Sequence, residues 1–303
     1  MATRTRAFGT GKRESHDSGD FYARFASPTV STDDTLQPCP VPDQLFCADA
    51  RDMRDVADAC IALVVTSPPY YAGKEYEQAV GEGHVPASYV DFLAMLRDVF
   101  AECRRVLEPG GRLAVNVANL GRKPYRSLSG DVIRILQDDL GLLLRGEIIW
   151  RKARGATGSI AVGSFRSAAN PVLRDVTERV IVASRDRFDR AVPRKEREQR
   201  GLPFENSITK EQFFDSTLDL WEIRPEHARR VGHPAPFPVE LPERLIHLYT
   251  YVGDTVLDPF IGSGSTAVAA VRTGRHYVGY DTDPDYIALA ERRVADERAP
   301  HPQ

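Results

Sequence analysis

The chain has 303 residues, 42% of them hydrophobic and 27% charged, with a formal net charge of −3. That length suits one large α/β domain or a domain with a substantial insertion, and no apolar run approaches the roughly 18 residues of a membrane span. The segment Met1 to Thr10 carries arginines but no following apolar stretch, so a secretory signal is not expected and a cytoplasmic protein is.

Residues 1–42 are rich in Ser, Thr, Asp, Pro and Gly with little apolar periodicity, which predicts a flexible or partly ordered arm. Of the four cysteines, Cys39, Cys47, Cys60 and Cys103, none forms a C-x-x-C pair and no histidine cluster accompanies them. Reduced thiols and no metal site are therefore expected. A short strand is predicted at Leu45-Phe46-Cys47, followed by Asp49, which reads equally as a ligand contact or as a cap on a short helix. The apolar run Ile61 to Val65 predicts a buried strand. It ends in Thr66-Ser67-Pro68-Pro69-Tyr70, where two prolines cannot continue a ladder. On its own this is a proline-rich turn; its position past the carboxyl end of a strand is also where open α/β sheets bind ligands.

The polar stretch Gly73 to Pro86 predicts a mobile loop. Ser88 to Leu107 has helical spacing, with Ser88 and Asp91 suited to its amino-terminal cap. Glu108-Pro109-Gly110-Gly111 then turns into a buried strand, Arg112 to Val117. A helix at Ser129 to Leu140 and a strand at Arg145 to Arg151 follow. Strand–helix–strand–helix–strand order predicts a doubly wound, mostly parallel sheet.

From Lys152 to about Pro225 the alternation breaks, apart from one strand at Val176 to Ala183. Between Arg151 and Arg200 there are 13 Lys and Arg against 6 Asp and Glu, a basic patch in an acidic chain. Such a patch neutralises phosphates or is simply a solvated surface; charge alone does not separate the two. A helix at Glu240 to Thr250 and a short strand at Thr255-Val256-Leu257 lead into Asp258-Pro259-Phe260-Ile261-Gly262-Ser263-Gly264-Ser265-Thr266. A helix to Thr273, the strand Tyr277 to Tyr280, Asp281 and a last helix from Pro284 complete the chain. A glycine turn joining strand to helix, with an acid ending the next strand, is the arrangement of a nucleotide-type site. The third glycine of a dinucleotide fingerprint is replaced by Ala267, and no Gly-Lys-Ser/Thr of a phosphate loop follows.

The two segments Thr66 to Tyr70 and Asp258 to Thr266 resemble the signature motifs of S-adenosylmethionine-dependent DNA amino-methyltransferases. Their order, catalytic motif first, is similar to the permuted β group of that family. Glu147 to Lys152 and His233 to Pro242 also resemble family segments, so the resemblance covers about residues 43–295. It implies a Rossmann-like α/β fold with a circularly permuted motif order. The implied division is an arm at 1–42, a catalytic half at 43–151, a target-recognition insertion at 152–225, a cofactor-binding half at 226–296 and a tail at 297–303.

The resemblance further implies that Ser67 Oγ and the Pro68 carbonyl, stiffened by Pro69, hold an exocyclic amine while Tyr70 stacks on an extruded base. S-adenosylmethionine would meet Asp49, Thr66, Phe237, Asp258, Phe260, Gly262, Ser263, Gly264, Ser265, Thr266 and Asp281. Asp281 would bind the ribose, Asp49 the adenine amine, and Ser265 and Thr266 the methionyl carboxylate. Lys152, Arg154, Arg166, Arg185, Arg194 and Lys195 would meet double-stranded DNA. Serine at position 67 favours cytosine N4 as target in this family, with adenine N6 the alternative and an RNA or other substrate a more distant one. The implied enzyme works as monomer or homodimer, with or without a cognate restriction endonuclease. A dinucleotide oxidoreductase is the naive reading of Gly-x-Gly, but it has no role for Pro-Pro-Tyr. A non-catalytic DNA-binding relative would not need Ser67 and Tyr70.

Overall fold

The computed structural model describes residues 30–71, 88–119, 125–152, 162–226 and 238–299. Residues 1–29 of the expected arm, the expected loop Gly73 to Pro86, Arg154 and Phe237 lie outside the described residues. The strands are β1 (Gln44–Cys47), β2 (Ile61–Thr66), β3 (Leu107–Val117), β4 (Leu143–Arg151), β5 (Thr177–Ser184), β6 (Leu220–Glu222), β7 (Thr255–Asp258) and β8 (His276–Asp281). The helices are α1 (Tyr89–Val106), α2 (Leu128–Arg134, running into a π turn at Ile135–Asp139), α3 (Arg194–Gln199), α4 (Lys210–Ser216), α5 (Glu240–Tyr249), α6 (Ser265–Arg272) and α7 (Pro284–Arg298).

The eight strands among the described residues form one sheet in the order β1-β8-β7-β2-β3-β5-β4-β6. β1, β8, β7, β2 and β3 run parallel, while β5 is antiparallel to both of its neighbours. Side chains alternate along the buried strands, so each face carries its own core. Leu113, Val115 and Ile181 pack with Phe92, Leu96 and Phe100 of α1. Leu63, Val65, Ala114 and Val180 pack with Leu241, Leu245, Ala267 and Ile287 of the last three helices. Helices cover both faces, as a largely parallel sheet requires. None of the described helices is long and apolar enough to cross a membrane.

The predicted elements at both ends of the domain are present, and Ser88 caps α1 by accepting from the Asp91 N–H at 3.1 Å. Within the stretch 152–225, β5 inserts between β3 and β4 and β6 forms the sheet edge. Residues 30–42 are also held in place, with Ser31 N–H donating to Asp186 O at 2.7 Å and Gln37 N–H to Ala59 O at 3.0 Å. Cys39 is half-buried against the core there.

Strand direction decides what this fold can bring together. The carboxyl ends of β1, β8, β7, β2 and β3 share one edge. The antiparallel β5 places its amino end, Thr177 and Glu178, on that edge opposite Trp150 and Arg151 of β4. Its other end, Ser184, pairs with Arg112 near the start of β3.

Candidate active site

β2 ends at Thr66, and its next residues turn away from the ladder as Ser67-Pro68-Pro69-Tyr70. The turn closes with Tyr71 at φ 53°, a left-handed conformation unusual for an aromatic residue, and its ring stacks on Phe92 at 5.3 Å. Under the loop lies a polar cluster. Tyr70 Oη donates to Glu178 Oε2 at 2.9 Å. Asn116 Nδ2 donates to the same carboxylate oxygen at 2.6 Å and to Tyr70 Oη at 3.0 Å. Ser67 Oγ lies 2.9 Å from Tyr70 Oη. Lys152 Nζ closes the cluster at 2.6 Å from Glu178 Oε1. Glu178 is 6% exposed and Asn116 1%. Neither was among the residues expected from sequence.

β7 lies beside β2, so the second motif ends next to the first. Asp258 is fully buried at that junction. Its Oδ1 accepts from Thr66 Oγ1 at 2.8 Å and from Phe260 N–H at 3.0 Å; its Oδ2 accepts from Thr266 Oγ1 at 2.7 Å. The Thr66 and Thr266 hydroxyls both donate to the Asp258 carboxylate, which ties the Ser67 loop to the glycine turn. Burial pushes the Asp258 carboxyl up to about 6, against the lowering effect of its three donors. The folded state therefore binds that proton more tightly than the unfolded chain does. The carboxyl's stabilising contribution is complete below about pH 4 and is lost as pH rises through about 6. Replacing it as Asp258→Asn should gain on the wild type by about 2–3 kcal/mol between pH 4 and pH 7. Urea unfolding of both proteins at the two pH values measures this; a difference that does not move with pH contradicts the account.

The glycine turn is built against α7. Gly264 has φ +83°, and a Cβ there would sit 2.8 Å from Ala290 Cβ. Gly264 thus permits close packing of the turn against α7. Arg293, also unforeseen, donates to the Ser263 carbonyl at 2.6 Å and to Ser263 Oγ at 3.0 Å, with Ser265 Oγ at 3.4 Å. Both serine side chains accordingly face α7. Asp281 ends β8 and accepts from Gly262 N–H at 3.0 Å and Asp283 N–H at 2.9 Å. Burial raises its carboxyl above the ordinary value. The two oxygens of a carboxylate offer about four acceptor sites, so capacity for a further donor remains. Phe260 is partly buried against the core, and Asp49 lies two residues past β1, where Arg51 pairs with it at 2.5 Å.

The expected DNA contacts separate into two groups. Lys152 follows the end of β4 on the catalytic edge, where its ammonium pairs with Glu178. Arg166 lies in an exposed turn between β4 and β5 on that same edge. Arg185, Arg194 and Lys195 lie past the far end of β5, about 23 Å from Glu178 along the strand. Arg185 donates to the Arg105 carbonyl at 3.0 Å, and Arg194 Nε to the Phe204 carbonyl at 3.0 Å. Strand direction thus places this charged run at the opposite end of the sheet from Glu178.

A family model described as DNA methylase, that of the N6/N4 methyltransferases, matches residues 61–292. The chain belongs to that family. The matched span opens on β2 and closes in α7, so it contains both halves of the site. Among curated relatives, the type II methyltransferase M.MjaI of Methanocaldococcus jannaschii is 28% identical over 281 residues, covering 83% of this methylase and 90% of its own length. Among solved structures, TTHA0409 of Thermus thermophilus, complexed with S-adenosyl-L-methionine, aligns with TM-score 0.63 and 30% identity over 84% of this methylase and 95% of that chain. The PvuII cytosine-N4-specific DNA methyltransferase shares the fold with TM-score 0.64 at 20% identity, over 88% and 92% of the two chains. The Rossmann-like fold expected from the sequence is that of these amino-methyltransferases.

Proposed function

We propose that this methylase transfers a methyl group from S-adenosylmethionine to the exocyclic N4 of a cytosine flipped out of duplex DNA. The observation that carries the reading is the adjacency of β2 and β7, which sets Ser67 beside the glycine turn. Neighbouring strands are about 4.8 Å apart, so the four strand ends from Asp49 on β1 to Ser67 on β2 span about 14 Å. That row suits an extended adenosyl–amino-acid ligand, with acids at the end far from Ser67. Asp281, with lone pairs left on a carboxylate fixed by the turn, would take the ribose hydroxyls; Asp49 would take the adenine amine. Phe260 and Phe237 would pack on the ligand. Gly262 and the backbone of Ser263 to Ser265 would face its amino-acid end at the start of α6. The bound donor supplies an electrophilic methyl group on a sulfonium.

The remaining chemistry belongs to the chain. The lone pair of an exocyclic amine is delocalised into the base ring. Hydrogen bonds from its two N–H groups to Ser67 Oγ and the Pro68 carbonyl turn that lone pair toward the methyl group. Pro68 and Pro69 lack N–H groups, so no backbone donor of theirs competes at that carbonyl. Tyr70 would offer the ring face on which the flipped base rests, and Arg166, together with Arg154, would meet phosphates. Serine at position 67 favours cytosine over adenine. The biological setting that follows is protection or marking of specific DNA sites in the cytoplasm.

Purified protein, tritiated S-adenosylmethionine and duplex DNA should yield labelled DNA whose digested nucleosides contain N4-methylcytosine. N6-methyladenine in the digest would reassign the base, and unlabelled DNA with every duplex tried would sink the reading.

A further inference from the structure

The cluster beneath Ser67 has a direction. Tyr70 has one hydroxyl proton, and the buried carboxylate of Glu178, 2.9 Å away, is an acceptor only. That proton is therefore spent on Glu178. The Tyr70 oxygen must then be the acceptor in its 2.9 Å contact with Ser67 Oγ, so Ser67 is the donor. Asn116 fixes the same pattern, since its Nδ2 can only donate to Glu178 and to the Tyr70 oxygen. Its contact with Ser67 Oγ is the longest of the set, at 3.4 Å. A serine hydroxyl free to rotate would either donate or accept. Here it points its hydrogen at Tyr70, which leaves its oxygen to act as an acceptor.

We propose that Glu178 is a positioning residue for methyl transfer and the end of a proton path running Ser67–Tyr70–Glu178. The proposal rests on the amine-methylation reading above and adds the group that makes Ser67 an acceptor. As the amine nitrogen bonds the methyl carbon, the carbon–sulfur bond breaks and its electron pair stays on sulfur. The nitrogen then carries one proton too many. That proton passes to Ser67 Oγ, the Ser67 proton passes to the Tyr70 oxygen, and the Tyr70 proton passes to the Glu178 carboxylate. One positive charge on sulfur and one negative charge on Glu178 disappear together, so the step is balanced without a further reactant. Lys152 Nζ pairs with the other carboxylate oxygen at 2.6 Å.

Nothing in the strand sequence of β5 marks Glu178 for this task. Its position follows from the antiparallel insertion of β5, which carries the amino end of that strand to the edge where β2 ends. A carboxylate lies behind the serine, reached through the Tyr70 hydroxyl.

The test uses the full-length protein with labelled S-adenosylmethionine and a duplex that the wild type methylates. Glu178→Gln keeps the shape but gives up the proton acceptor. Turnover should fall about tenfold to a hundredfold, the size expected for a lost hydrogen bond to a charged group. Calorimetric affinity for S-adenosylmethionine and for the duplex should stay within about twofold, since neither ligand touches Glu178. Tyr70→Phe, which leaves the ring in place, should give a similar fall. The double variant should be no slower than either single one, because both interrupt one path. Turnover of Glu178→Gln within about twofold of wild type overturns the proposal, as do losses that multiply in the double variant. An affinity loss equal to the turnover loss also overturns it. Should Glu178→Gln not fold, Tyr70→Phe with wild-type turnover overturns it alone. A wild-type enzyme that labels no DNA defeats the methylation reading instead, and the two failures are therefore distinct.

Discussion

Ser67→Ala is expected to lower turnover by about 10²–10³-fold while the affinity for S-adenosylmethionine changes little. The substitution removes one of two acceptors aimed at the reacting amine. The loss falls on the step in which nitrogen becomes positive, where that acceptor matters most. Thr66, next in the chain, is fully buried and holds the loop to Asp258 at 2.8 Å, so the backbone should keep its place without the serine hydroxyl. Isothermal calorimetry with S-adenosylmethionine and single-turnover methylation separate the two effects. Equal loss of binding and rate would show that Ser67 belongs to the donor site, and the assigned role would fail. Ser67→Thr keeps a hydroxyl and is the informative companion. It should retain more activity than alanine if the lone pairs are what count.

Much of this site was legible in the amino-acid order because each motif is local. Two prolines after an apolar run must end a strand, and a glycine turn between a strand and a helix marks a ligand site whatever surrounds it. Aspartates ending two other strands completed the outline. The division of labour within the second motif was not legible. Thr66, Asp258 and Thr266 are polar residues in signature segments, and only the 192-residue reach from Thr66 to Asp258 shows that they bind each other. Gly264 was read for ligand approach, whereas Ala290, 26 residues later, is what excludes a side chain there. Glu178 and Asn116 were invisible for the same reason: Tyr70 and Glu178 are 108 residues apart.

The basic run from Arg185 to Arg200 has partners that its composition does not reveal. Composition reports how many charges a segment holds but not where its partners are. β5 runs against β3, so this segment emerges at the edge remote from Ser67. There Arg190 meets Glu108, 82 residues before it, and Asp254 at 2.8 Å, 64 residues after it. Arg197, 1% exposed, reaches Asp254 at 3.0 Å and Glu108 at 3.5 Å. Both guanidinium groups also lie over the Tyr251 ring, at 5.3 and 5.2 Å. Burial works against the Arg190 charge, and Asp254 and Glu108 overcome it, so its affinity for the proton is raised. A segment that reads as a phosphate patch is in part an internal brace joining β3, β7 and the stretch after β5.

Asp254→Ala should therefore destabilise the fold by about 3–5 kcal/mol, because it leaves two buried guanidinium groups sharing one carboxylate. It also strips the Tyr251 N–H of its acceptor at 2.7 Å. Urea unfolding measures the loss, and a change below about 1 kcal/mol would mean that solvent already satisfies these arginines. The same variant separates brace from substrate contact. Its folded fraction should bind duplex DNA with the wild-type affinity and the wild-type salt dependence. Arg166→Ala, on the catalytic edge, should leave stability almost untouched, weaken DNA binding across sequences and reduce the salt slope by about one. If Asp254→Ala instead flattened the salt slope while leaving stability intact, the basic run would be a DNA contact after all. β5 separates these two sites: one end of the strand lies with the serine loop, and the other ends in the ion-pair brace.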